Sequence, residues 1–181
     1  MQTAFGLVRE NGINGLSARN VAQALRCSTQ PIFSYYANMA ELKADVFITA
    51  NQYYSEYFNK VESDEKILMN VVMAYIDFAL EEPNLFCLLF MSDVLSGKKL
   101  SEFVEDDCKE IIKSGIPPWI DRDFDVANRM FTDMWFYAHG IASMLVANQL
   151  SIKRNEIQAM VKNMWLLSMN NKKEEFDTQT Q

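Results

Sequence analysis

Along this chain apolar residues recur at spacings of three and four, and no alternation of period two persists for the length of a strand. Val21, Ala22 and Leu25 make a short apolar face behind Ser17, whose hydroxyl can take an orphan amide proton of a first helical turn. Ser28 is placed to cap the next segment, and Pro31 is tolerated there because first-turn amides have no intrahelical acceptor. Residues 17–36 therefore read as helix, tight turn, helix. Asn38 with Glu41 resembles a capping box, opening a longer helix that carries Leu42, Val46, Ala50, Tyr53 and Tyr57 and is predicted to end near Lys60. In SDEKILMNVVMAYIDFALEEP, Ser63 is the cap, acidic residues fill the first turn and Pro83 is the stop. NLFCLLFM is a short apolar helix, and residues 100–113 form a surface helix ahead of Gly115 and PPW. Residues 123–150 are apolar on every side at their middle, as in a helix covered on two faces. The last helix shows the cleanest period, Ile157, Met160, Val161, Met164 and Trp165, before the polar NNKKEEFDTQTQ, which reads as a frayed tail. The pattern predicts an all-α fold of about nine helices.

A chain of 181 residues, 49% of them apolar, can bury a substantial core. Its net charge of -7 argues against a protein that coats nucleic acid or anionic membrane through its whole surface, so any contact with DNA must be local. Cys27, Cys87 and Cys108 are widely spaced without a CxxC pair, which reads as reduced thiols in a cytoplasm. The opening MQTAFGLVRENG has neither a basic start nor a continuous apolar run, so no signal peptide is expected. The most apolar stretch, MWFYAHGIASMLVA, is about half a bilayer span and contains His139, so no membrane partner is expected. His139 is the only histidine, and the reading preferred for it is a hydrogen bond to a backbone carbonyl in the core. No spacing suggests a metal site or another cofactor.

Residues 4–42, AFGLVRENGINGLSARNVAQALRCSTQPIFSYYANMAEL, resemble the DNA-binding half of the tetracycline-repressor family. The features that carry the likeness are Glu10 and Gly12 at the end of a first helix, Ser17 as a cap, Val21 and Ala22 within the second helix, and Ser28 opening the third. Ile32-Phe33 stands where the family has a Leu-Tyr pair, followed by Tyr35-Tyr36, Asn38 and Leu42. More faintly, WFYAHG at residues 135–140 is similar to the Trp-x-x-x-His-Gly signature of one ligand-domain subtype. The resemblance implies a helix-turn-helix head over residues 1–45 and a helical ligand-binding and dimerisation domain over 46–181. It implies a cytoplasmic, ligand-responsive regulator, a repressor, acting as a homodimer on palindromic double-stranded DNA.

With the third helix in the major groove, Thr29, Gln30 and Ser34 are the polar groups nearest base edges, and Gln can pair bidentately with adenine. Phe33, alone or with Tyr36, is expected to bury its ring against Val21 and Leu25, leaving Tyr35 to reach a phosphate. Ser17, Arg19, Ser28 and Lys43 complete the DNA contacts that the resemblance implies. Arg26 stands at a turn position usually filled by glycine in the family, and Met39 where a lysine is usual. A left-handed conformation at Arg26 costs about 1 to 2 kcal/mol.

The long helix of residues 123–150 and that of 152–167 are expected to pair with their copies as a four-helix bundle, with Gly140, Ala142 and Ser143 allowing close approach; otherwise both are core helices of a monomer. The candidate lining for a small hydrophobic or amphipathic effector is Tyr75, Phe78, Phe86, Phe90, Met91, Phe131, Met134, Trp135, Tyr137 and His139. Asp77 and Asp133 are its polar candidates, unless they are simply solvated, and the aromatic stripe has an ordinary core as its plainer explanation. A helical interaction protein with a degenerate helix-turn-helix is the alternative function. An enzyme ranks last, because no residue pattern supports one.

Overall fold

Of the three caps expected in the first sixty residues, those at Ser17 and Asn38 are in place in the computed structural model, which describes residues 1–61, 67–92 and 124–179. Among these residues every regular element is helical: α1 (Gln2–Asn11), α2 (Ala18–Ala24), α3 (Gln30–Tyr35), α4 (Met39–Phe58), α5 (Ile67–Glu81), α6 (Pro83–Phe90), α7 (Phe124–Asn148) and α8 (Arg154–Gln179), with a 3-10 turn at Ile13–Gly15. The all-α expectation holds. No helix among the described residues is long and apolar enough to cross a membrane.

Ser17 Oγ accepts the Asn20 amide proton at 3.1 Å and starts α2. Asn38 Oδ1 accepts from the amides of Ala40 and Glu41 at 2.8 and 3.1 Å, and starts α4. The return bond of this box is displaced by one residue: Glu41 Oε2 takes the amide of Ala37, not of Asn38. The cap expected at Ser28 is not formed, and α3 begins one residue later, with Thr29 as N-cap and no side-chain cap bond. The reason lies in the first turn. Pro31 has no amide proton to cap, and the amide of Ile32 already reaches the Thr29 carbonyl at 3.1 Å.

Pro83 ends α5 as expected and, as the first residue of α6, also starts the next helix, where its missing N–H is harmless. The polar tail does not fray: α8 continues to Gln179, through a sequence free of Gly and Pro and rich in the helix formers Lys, Glu and Gln. The cap at Ser63, the helix over 100–113 and Cys108 lie outside the described residues.

The chain divides into two compact units. The first comprises the described residues of Met1–Lys60 and Glu81–Gly97, so α6 belongs with α1 to α4. Its core includes Ala4, Val8, Leu42, Val46, Leu85 and Phe86. The second takes its described residues from Val61–Leu80 and Lys98–Gln181. There Ile76 and Phe78 of α5, Met130 and Ala142 of α7, and Ile157 and Val161 of α8 are buried.

Candidate functional site

The turn between α2 and α3 is a helix stop with a left-handed residue. Arg26 has φ 54, its amide reaches the Gln23 carbonyl at 3.1 Å, and the amide of Cys27 reaches the Ala22 carbonyl at 2.9 Å. That pair of bonds is a Schellman motif, with Arg26 at the position glycine favours.

Beyond the turn, α3 is pinned by few contacts. Ile32 is its buried residue, and one turn on Tyr36 donates its hydroxyl to Asp45 Oδ2 at 3.0 Å. Desolvation first, and the Asp45 bond second, push the Tyr36 phenol up to about 12. Of the rings expected to be buried, Tyr36 is half-buried and Phe33 is not: Phe33 is 49% exposed, and Leu25, expected beneath it, is 52% exposed. Residue 33 lies about 100° around the helix from Ile32, so a helix that points Ile32 and Tyr36 inward carries Phe33 to its flank.

The expected DNA-contacting side chains fall into three places. Thr29, Gln30, Ser34 and Tyr35 are exposed on α3 or its cap, with Tyr35 at 80% and its ring edge against Tyr36 at 4.8 Å between centroids. Ser28 is exposed in the turn, and the Ser34 hydroxyl donates to the Gln30 carbonyl at 3.0 Å. Arg19 is exposed in the first turn of α2, where the Ser17 hydroxyl is engaged as the cap, and Lys43 is exposed on α4.

A polar network that sequence reasoning missed ties α1, α4 and α6 together. Arg9 forks onto the buried carboxylate of Glu82, with Nε 2.8 Å from Oε2 and Nη2 on Oε1. Tyr53 donates to the same Oε1 at 3.0 Å, the Arg9 guanidinium carbon sits 5.2 Å from the Tyr53 ring centre, and Asn84 donates to the Arg9 carbonyl at 2.9 Å. The Glu82 hydrogen bonds push the Arg9 guanidinium further up, and burial raises the Tyr53 phenol. The faint signal available was Arg9, one residue after the buried Val8 of the first helix, and a Glu directly before a helix-starting Pro.

The expected effector lining divides between the units. Phe86, Phe90 and Met91 lie in the first, where Phe90 touches Phe86 at 5.4 Å and Tyr54 at 5.1 Å between ring centres, and Met91 is 44% exposed. In the second, Tyr75 and Phe78 are buried on α5. At Nδ1 of His139 the partner is the Tyr75 hydroxyl at 2.8 Å, where a backbone carbonyl was expected. Trp135 stacks on the His139 ring at 5.1 Å and 11°. Burial lowers the His139 imidazole and raises the Tyr75 phenol, so the pair meets uncharged at neutral pH.

Beside this cluster a small apolar cavity of about 10 Å³, room for roughly one water, is lined by Leu68, Met69, Val72, Phe131, Met134 and Trp165. Phe131 and Met134 were expected there. Trp165 was visible in the period of α8 but was not among the expected lining residues. Tyr137 is half-buried, Asp133 is exposed, and Asp77 pairs with Arg154 at 2.6 and 3.2 Å. Among the described residues no three His, Cys, Asp or Glu side chains gather as metal ligands, and the described cysteines, Cys27 and Cys87, are free thiols. No protein-family model matches the chain, and no curated protein matches it in sequence.

Proposed function

We propose that this protein is a ligand-responsive DNA-binding transcriptional regulator of the tetracycline-repressor type, a repressor that acts as a cytoplasmic homodimer on a palindromic operator. The observation that carries the reading is α3 itself. This helix buries Ile32, half-buries the Tyr36 that follows it, and holds Gln30, Phe33, Ser34 and Tyr35 out to solvent behind a Schellman turn. A helix held by so little and exposing so much suits insertion into a groove. The charge has the matching sign: Arg9, Arg19, Arg26 and Lys43 against Glu10, Glu41 and Asp45 leave residues 1–45 at +1 and the rest at -8, summing to the -7 of the chain.

The second unit supplies the features a dimer and an effector need. On α7, Phe136 and Met144 are 50% and 51% exposed, with Gly140 one turn from each and open space beyond its α-carbon. On α8, Met160, Leu166 and Leu167 are exposed. Large apolar side chains repeated along two long helices mark a protein-binding surface, here for a second copy. The apolar cavity holds no more than about one water, so a hydrophobic or amphipathic effector must part its methionine and aromatic walls to enter. That displacement is the means of signalling.

The alternative, a helical interaction protein without useful DNA affinity, has the small positive charge of the head and Met39 in its favour. Fluorescence anisotropy against DNA from upstream of the gene separates the two. The regulator binds with an affinity that falls steeply with salt, exceeds binding to random DNA by about a thousandfold or more, and is lost on Gln30→Ala or Tyr35→Ala. Absence of binding even at low salt establishes the alternative.

A further inference from the structure

The ring of Phe33 is only partly covered by the fold, at 49% exposed. A phenylalanine has no hydroxyl to reach a phosphate, and this one stands half-exposed on a short helix whose neighbouring exposed groups, Gln30 and Ser34, are polar. The core beneath α3 is filled by Ile32 and closed by the Tyr36–Asp45 bond, so burying Phe33 is not what holds the helix. Leaving an apolar ring in water is unfavourable, and covering it by an apolar group recovers that cost.

We infer that Phe33 is a specificity-determining residue that packs against the 5-methyl group of a thymine in the major groove. The inference rests on the DNA-binding reading of α3 and deepens it. Thymine is the base that offers an apolar group on the major-groove edge, and phenylalanine is among the side chains suited to meet it. Gln30 and Phe33 are three residues apart and so share a side of the helix, which places the amide reader and the methyl reader at neighbouring base pairs. Each half-site then carries a thymine, read by contact, beside a pair read by hydrogen bonding.

The test begins with selection of binding duplexes from a random library by the full-length protein. Each thymine of the selected site is then replaced by deoxyuridine, which keeps every hydrogen-bonding edge and removes the methyl. One thymine per half-site is expected to lose about three- to fourfold in affinity on this replacement, the effect of one buried methyl. In Phe33→Ala the same replacement has no effect, and the variant binds the thymine duplex as weakly as the native protein binds the deoxyuridine one. A second measurement needs no variant: 5-iododeoxyuridine at that position, irradiated in the complex, crosslinks to the peptide containing Phe33. A selected site with no deoxyuridine sensitivity, or with equal sensitivity in native protein and variant, or with the crosslink elsewhere, overturns the inference and leaves the regulator intact. Failure to select any site overturns both.

Discussion

Arg26 and His139 show how much a single position can hold. At Arg26 the backbone turns left-handed because the Schellman bonds require it, and the side chain crowds its own carbonyl. Arg26→Gly is predicted to stabilise the protein by about 0.5 to 1 kcal/mol in urea denaturation, the relief of strain exceeding the extra freedom of the unfolded glycine. His139 acts through pH. Burial holds its folded pKa below the ordinary 6.5, so as pH falls the unfolded chain takes up the proton first. The stability tied to this group is complete above 6.5 and is lost as pH falls through the lower folded value. Thermal melting between about pH 8 and pH 5 should therefore show a larger drop in midpoint for the native protein than for His139→Gln.

At the scale of elements, α6 is joined to the head by charge as well as by packing. Glu82 accepts from Arg9 of α1 and Tyr53 of α4, and removing the carboxylate leaves those two donors, among the described residues, only each other, Arg9 Nη2 on the Tyr53 hydroxyl at 3.2 Å. Glu82→Ala is predicted to cost about 1 to 3 kcal/mol, and Tyr53→Phe, which removes a single hydroxyl, about 0.5 to 1.5 kcal/mol, both measured by chemical denaturation. The helices themselves were legible: Ser17, Asn38 and Pro83 start or stop them as their side chains dictate. The network was not, because Arg9 and Glu82 are 73 positions apart and each taken alone looks like an ordinary surface charge.

For the whole molecule, the proposed dimer and the proposed DNA binding are one property. Two heads are needed to span two half-sites, so a variant that separates the copies weakens operator binding without touching α3. Phe136→Glu places a charge on the exposed face of α7 and leaves the core alone. It is predicted to sediment as a monomer with unchanged helical circular dichroism, and to bind a palindromic site at least about tenfold more weakly, while affinity for a single half-site stays the same.

The amino-acid sequence by itself determined the fold class and the helix boundaries set by Ser17, Asn38 and Pro83. Each of these depends on residues within about five positions of one another, where periodicity, caps and missing amides act. Only the tertiary structure decided which ring of α3 turns inward, that the His139 partner is Tyr75 from 64 positions away, that α6 joins α1 and α4, and that the apolar cavity is walled by Trp165 as well as by Phe131. Those outcomes turn on the angle at which one helix lies on another. No local pattern encodes that angle, because it is set by how distant side chains fill a shared interior.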